Sequence, residues 1–147
     1  MSDRVFVDTN VLVYAWDSTE PDKQKQALAW MTYLWTARTG RLSYQVLTEF
    51  YVTVTRKLDP GMEPARARRN VRLFFPWNPV QIDARAVETA WQIQDRYRLS
   101  WWDALIVSAA RSAGCRYLLT EDLRGGEELF EVKIVNPFLV SPDSLGE

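Results

Sequence analysis

The sequence predicts an α/β protein, a three-layer α/β/α sandwich around a central, mostly parallel sheet. Three observations carry this. Short apolar runs that end on a polar residue, Val5-Phe6-Val7 before Asp8 and Tyr117-Leu118-Leu119 before Thr120, read as strands buried on both faces. Between such runs lie segments whose apolar residues recur at helical spacing. The two kinds alternate along the chain, as they do when helices cover a parallel sheet. A length of 147 residues fits one compact domain over 1–147, with no internal repeat, low-complexity tract or linker to divide it.

Taken in order, Val5-Phe6-Val7 is the first strand. Thr9 or Asn10 can cap a helix through Trp16, and Pro21 opens a second, with Ala27, Leu28, Met31, Leu34 and Trp35 in register until Gly40. Arg41 to Tyr44 reads as a short strand. Gln45 to Leu58 reads as a helix striped by Val46, Phe50, Val54 and Leu58, and stopped by Asp59-Pro60-Gly61. Pro64 starts a helix through Phe75, Pro76 to Pro79 breaks it, and Val80 to Ile82 forms a brief strand. Helix returns from Ala84 to Arg98. Ser100 caps an apolar helix from Trp101 to Ala113, ended by Gly114. The strand Tyr117 to Leu119 follows, and Val132 to Val135 is the last.

Composition narrows the chemistry. Apolar residues at 47% and charged residues at 25% exclude wholesale disorder. No apolar stretch approaches the ~20 residues of a membrane span. Met1 to Arg4 lead straight into a strand, so a cytoplasmic protein is expected. The single Cys115 excludes an internal disulfide and a cysteine-based zinc site, leaving it as a small packing residue. The absence of histidine removes Ser-His-Asp triads, paired-histidine ribonuclease chemistry and histidine-ligated zinc. Net charge is −1, yet Arg56, Lys57, Arg66, Arg68, Arg69 and Arg72 crowd one stretch with only Asp59 and Glu63 as acids.

In an open parallel sheet, ligands bind where strands end and helices begin. Four acids fall there: Asp8 after the first strand, Glu49 in the second turn of its helix, Asp103 in the first turn of its helix, and Asp122 after Leu119. Each has a plainer explanation. Asp8 and Asp122 suit a helix cap and a turn, Glu49 a solvated helix face, and Asp103 a capping box with Ser100. Asp103, however, adjoins Trp101-Trp102 and Ala104-Leu105-Ile106-Val107, an apolar setting with no Lys or Arg within a helical turn after it, since Arg111 is two turns away. A buried carboxylate there needs a partner. Gathered acids repel one another unless cations neutralise them, and an all-oxygen donor set points to Mg²⁺ or Mn²⁺. Glu121 competes with Asp122 as the fourth donor.

The segments Val5-Phe6-Val7-Asp8-Thr9-Asn10, Leu47-Thr48-Glu49-Phe50, Trp102-Asp103-Ala104-Leu105-Ile106 and Leu119-Thr120-Glu121-Asp122-Leu123 occur in this order along nearly the whole chain. So arranged, the sequence resembles the PIN-domain nucleases, and within them the toxins of VapBC toxin–antitoxin pairs. The resemblance implies an endoribonuclease dependent on Mg²⁺ or Mn²⁺, leaving 5′-phosphate and 3′-hydroxyl ends. Asp8, Glu49, Asp103 and Asp122 would be its catalytic and metal-binding acids, with Thr9, Asn10 and Thr120 as polar supports. RNA substrate, an antitoxin partner and a homodimer are implied with it. Where the resemblance is to members whose acidic segment ends in a Gln-His-Gly-like turn, this chain departs, having Arg124-Gly125-Gly126.

Arg66, Arg68, Arg69 and Arg72 suit an RNA backbone. Trp30, Tyr33 and Trp35 suit a dimer or antitoxin surface. Two other classes compete: a catalytically inactive PIN-fold module that binds RNA or scaffolds, and an aspartyl-phosphate phosphotransfer domain with Asp8 as nucleophile. The complete set of acids disfavours the first. The second lacks its pattern, since Asn10 stands where a dehalogenase-type phosphatase needs a second acid.

Overall fold

The computed structural model describes residues 3–145, so Met1 and Ser2 of the lead-in and the last two residues lie outside the described residues. Among the described residues, β1 (Arg4–Val7), β2 (Gly40–Arg41), β3 (Cys115–Leu119), β4 (Glu128–Leu129) and β5 (Val132–Val135) form one sheet in the order β2-β1-β3-β5-β4. Only β4 runs antiparallel, folding back on β5. Val5, Phe6 and Val7 are 1%, 0% and 0% exposed. Consecutive strand residues point to opposite faces, so both faces of the sheet are covered and the three-layer expectation holds.

The helices are α1 (Thr9–Tyr14), α2 (Pro21–Ala37), α3 (Tyr44–Arg56), α4 (Pro64–Leu73), α5 (Ala84–Tyr97) and α6 (Trp101–Ser112). Helix α6 packs on β3 and β5 with α5 against it, α2 meets β2, and α1, α3 and α4 pack in succession. Among the described residues no helix is long and apolar enough to cross a membrane. Cys115 is buried, and burial pushes its thiol up to about 12, so it packs rather than reacts.

Several boundaries differ from the sequence expectation. The strand expected at Arg41 to Tyr44 shrinks to Gly40–Arg41, because the Ser43 hydroxyl accepts from the Val46 N–H and starts α3 there. The strand expected at Val80 to Ile82 is a single parallel bridge, Ser43 to Val80. Helix α1 is capped by Asp8 rather than by Thr9 or Asn10, and ends at Tyr14. The helix expected through Phe75 stops at Leu73, after which Phe75–Trp77 forms a 3-10 turn. Strand β4 was not expected, being only two residues long.

Trp30 is a correction of a different kind. It is not a surface residue: its side chain is fully buried, and its indole N–H donates to the carbonyls of Pro137 and Val140 at 3.1 and 3.0 Å. Trp35 is 40% exposed, but its inner side packs against Phe74 and Trp77 with ring centroids 5.5 and 5.0 Å away.

Those aromatics explain a glycine. A Cβ on Gly40 would lie 2.7 Å from Cζ2 and Cζ3 of Trp77, so the indole face rests directly on the β2 backbone. Gly40→Ala is therefore expected to destabilise the fold by ~1–3 kcal/mol through overpacking. Urea denaturation measures this, and a midpoint equal to wild type would refute the close packing.

Candidate active site

The parallel register builds the site. Val7 lies opposite Leu119, and Leu119 opposite Val135. The ladder continues one residue further, the Asp8 N–H donating to Leu119 O at 3.0 Å and the Thr120 N–H to Val135 O at 3.1 Å. Residues 112 positions apart in sequence thus leave the sheet side by side. The Thr120 hydroxyl donates to Asp8 Oδ2 at 2.9 Å, while Asp8 Oδ1 accepts from the Thr9 N–H at 2.7 Å.

Asn10 ties the next carboxylate to this pair. Its Nδ2 lies 3.0 Å from Asp122 Oδ2, 3.2 Å from Thr120 Oγ1 and 3.4 Å from Asp8 Oδ2. The Asp122 N–H donates to Thr120 Oγ1 at 3.0 Å. On the other side, the Thr9 hydroxyl donates to Glu49 Oε2 at 2.8 Å, joining α1 to α3. Thr9, Asn10 and Thr120 each bond at least one of the four predicted acids. Capping of α1 and membership of the cluster, weighed as alternatives for Asp8 in the sequence, are the same arrangement.

Electrostatics links the four acids. Asp8 is 6% exposed, and burial, reinforced by the nearby charges of Asp122 and Glu49, raises its pKa to about 7 against the bonds from Thr9 and Thr120. Asp122 is raised as well, first by desolvation and then by Asp103 and Glu121, with the Asn10 bond opposing. Asp103 is half-exposed, not buried as its apolar neighbours suggested, because only the stretch from Ala104 onward enters the core. The Ser100 hydroxyl accepts from the Asp103 N–H at 3.2 Å, one half of the capping box. Among the described residues no three acids are drawn together tightly enough to cage an ion as they stand.

Three residues escaped the sequence reading. Gln45 Nε2 donates to Glu49 Oε1 at 3.0 Å. The spacing of four along α3 was the available signal. Tyr14 and Lys23 hold Glu121: the Tyr14 hydroxyl donates to Oε1 at 2.9 Å and Lys23 Nζ to Oε2 at 2.8 Å. No local pattern announces that contact, which spans 98 residues.

The arginines Arg66, Arg68, Arg69 and Arg72 are exposed on α4, which packs on the Glu49 helix α3. Arg66 lies over the Trp16 ring at 5.1 Å, and Arg68 Nε donates to the Tyr51 hydroxyl at 3.2 Å.

Comparison with known proteins agrees with this architecture. A toxin–antitoxin complex from Klebsiella pneumoniae contains a chain that superposes with a TM-score of 0.62 at 16% identity, covering 90% of this chain and 97% of that one. VapBC2 from Rickettsia felis, solved bound to a DNA fragment from their promoter, gives 0.56 at 15% identity, covering 88% and 96%. At such identities the likeness is one of fold. No curated protein matches the sequence. The family model for the PIN domain matches residues 5–126, and the chain belongs to the PIN domain family.

Proposed function

We propose that this protein is a divalent-metal-dependent endoribonuclease and the toxin of a toxin–antitoxin pair, with Asp8, Glu49, Asp103 and Asp122 as its metal-binding and catalytic acids. The observation that carries this reading is Asp8: a buried carboxylate at the end of β1, joined through Asn10 to Asp122 and through Thr9 to Glu49. PIN domains are generally nucleases.

Mg²⁺ or Mn²⁺ fits the residues present. The donors are oxygen only, as hard cations require, and an open arrangement suits an ion that keeps several waters. Once bound, such an ion supplies a Lewis acid for the phosphodiester and an activated water. The chain's own groups do the rest. Thr9 and Thr120 orient Asp8, and Asn10 holds Asp122 beside it. Asp8, with a pKa near 7 in the metal-free protein, exchanges its proton for the cation at little cost. The exposed arginines of α4, which packs on the Glu49 helix, are available for phosphate contacts.

An antitoxin partner is supported by the fold neighbours, both taken from toxin–antitoxin complexes. The surface we assign to it is the apolar cleft among α1, α2 and α4, where Leu12 and Met31 form the floor and Trp16, Leu28, Trp35 and Leu73 are exposed.

The test is cleavage of RNA by purified protein with Mg²⁺ or Mn²⁺, with chelator, and with Asp103→Asn. Cleavage with either ion, none with chelator, and a loss of about a hundredfold in the folded variant are expected. Undiminished cleavage by Asp103→Asn rejects the assignment. RNA binding without cleavage would favour the inactive module.

A further inference from the structure

Glu121 and Asp122 are consecutive, yet they are turned to different partners. Asp122 is held by Asn10 toward Asp8. Glu121 has both oxygens occupied elsewhere, by the Tyr14 hydroxyl at 2.9 Å and the Lys23 ammonium at 2.8 Å. Its main chain remains beside the site, with its N–H 3.5 Å from Asn10 Oδ1, and Asp122 feels its charge.

The holding group is itself fixed. Lys23 Nζ is 3.3 Å from the Tyr14 oxygen, 4.7 Å from the Tyr14 ring centroid and 5.2 Å from that of Phe138. Those two rings pack edge to face at 5.1 Å. The ammonium therefore rests on an aromatic platform built by α1 and the segment after β5. Neither helix electrostatics nor the strength of the ion pair alone accounts for this placement. A cation in the first turn of α2 opposes the helix dipole, and an ion pair whose side chains are 37% and 23% exposed contributes little to folding.

Resting on the metal-site reading above, we infer that Lys23 and Tyr14 form a clamp that withholds Glu121 from the carboxylate site, leaving Asp122 alone of the adjacent pair to face the cation. The chemistry gives this a purpose. A cation draws in carboxylates within reach, and one more would tighten binding while filling a coordination position that water or a phosphate oxygen needs. Lys23 and Tyr14 are thus positioning residues that exchange affinity for an open coordination sphere.

The test is Mn²⁺ binding by calorimetry, with circular dichroism to confirm folding and RNA cleavage at saturating Mn²⁺. Lys23→Met is expected to bind Mn²⁺ roughly tenfold more tightly and to cut about tenfold more slowly. Tyr14→Phe, which removes one hydrogen bond and keeps the ring, moves both in the same directions by less. Adding Glu121→Gln to Lys23→Met returns both toward wild type. A clamp serving only the fold would weaken binding instead, and weaker or unchanged affinity in both folded single variants overturns the inference. So does tightening that persists in the Glu121→Gln background, which would make Lys23 a mere charge near the ion. If wild type binds no Mn²⁺, the metal reading falls and takes this inference with it; if wild type binds and the variants behave alike, the clamp alone falls.

Discussion

Asp8→Asn is expected to cut RNA about a thousandfold more slowly while making the metal-free protein more stable at pH 8. On the proposed metal-dependent mechanism, the rate loss follows from removing an anionic donor to a cation that would supply several kcal/mol of transition-state stabilisation. The gain in stability follows from the raised pKa. Asp8 has a pKa of about 7 when folded against 3.8 in the reference state. Between those values the folded protein holds a proton that the unfolded chain has released, so stability falls as pH rises through that window and the loss is complete above pH 7. The penalty is on the order of 4 kcal/mol. Asparagine carries no charge, and its amide can still accept from the Thr9 N–H. Thermal denaturation in chelator at pH 5 and pH 8 checks this. The variant should gain on wild type as pH rises, and added Mn²⁺ should reverse the order by stabilising only wild type. A variant equally destabilised at both pH values would show that Asp8 is an ordinary cap.

Trp30→Ala is expected to cost ~3–5 kcal/mol, the largest single loss of fold stability. The indole is fully buried, meets Tyr33 edge to face at 6.3 Å, and donates to Pro137 O and Val140 O. Removing it opens a cavity and releases the segment after β5, which carries Phe138 of the Lys23 platform. Urea denaturation gives the magnitude, and hydrogen exchange should show lost protection from Phe138 to Leu145. A cost below ~1 kcal/mol would mean that the pocket collapses around the missing ring.

The sequence made the strand ends legible because an apolar run closed by a polar residue has few other uses. Asp8 was singled out that way, Thr120 came with the family resemblance, and register places the two side by side. Trp30 was misread because α2 also carries Leu28, Tyr33 and Trp35, so apolar residues point in several directions and periodicity does not single out the buried one. Asp103 was misjudged for the opposite reason: its neighbours are apolar, but the first turn of α6 projects past the core. Lys23 was invisible, since its partner is fixed by tertiary packing and by no spacing along the chain.

The sheet is narrow at both margins. β2 and β4 are two residues each, and beside β2 the Val80 N–H donates to Leu42 O while the Tyr44 N–H donates to Val80 O. Little unpaired backbone is left on that side to template a further strand, and the short β4 offers scarcely more. Growth of the sheet into a neighbouring copy is thereby discouraged, and a substitution on the helical surface can alter side-chain contacts without exposing a strand edge that invites fibrous aggregation.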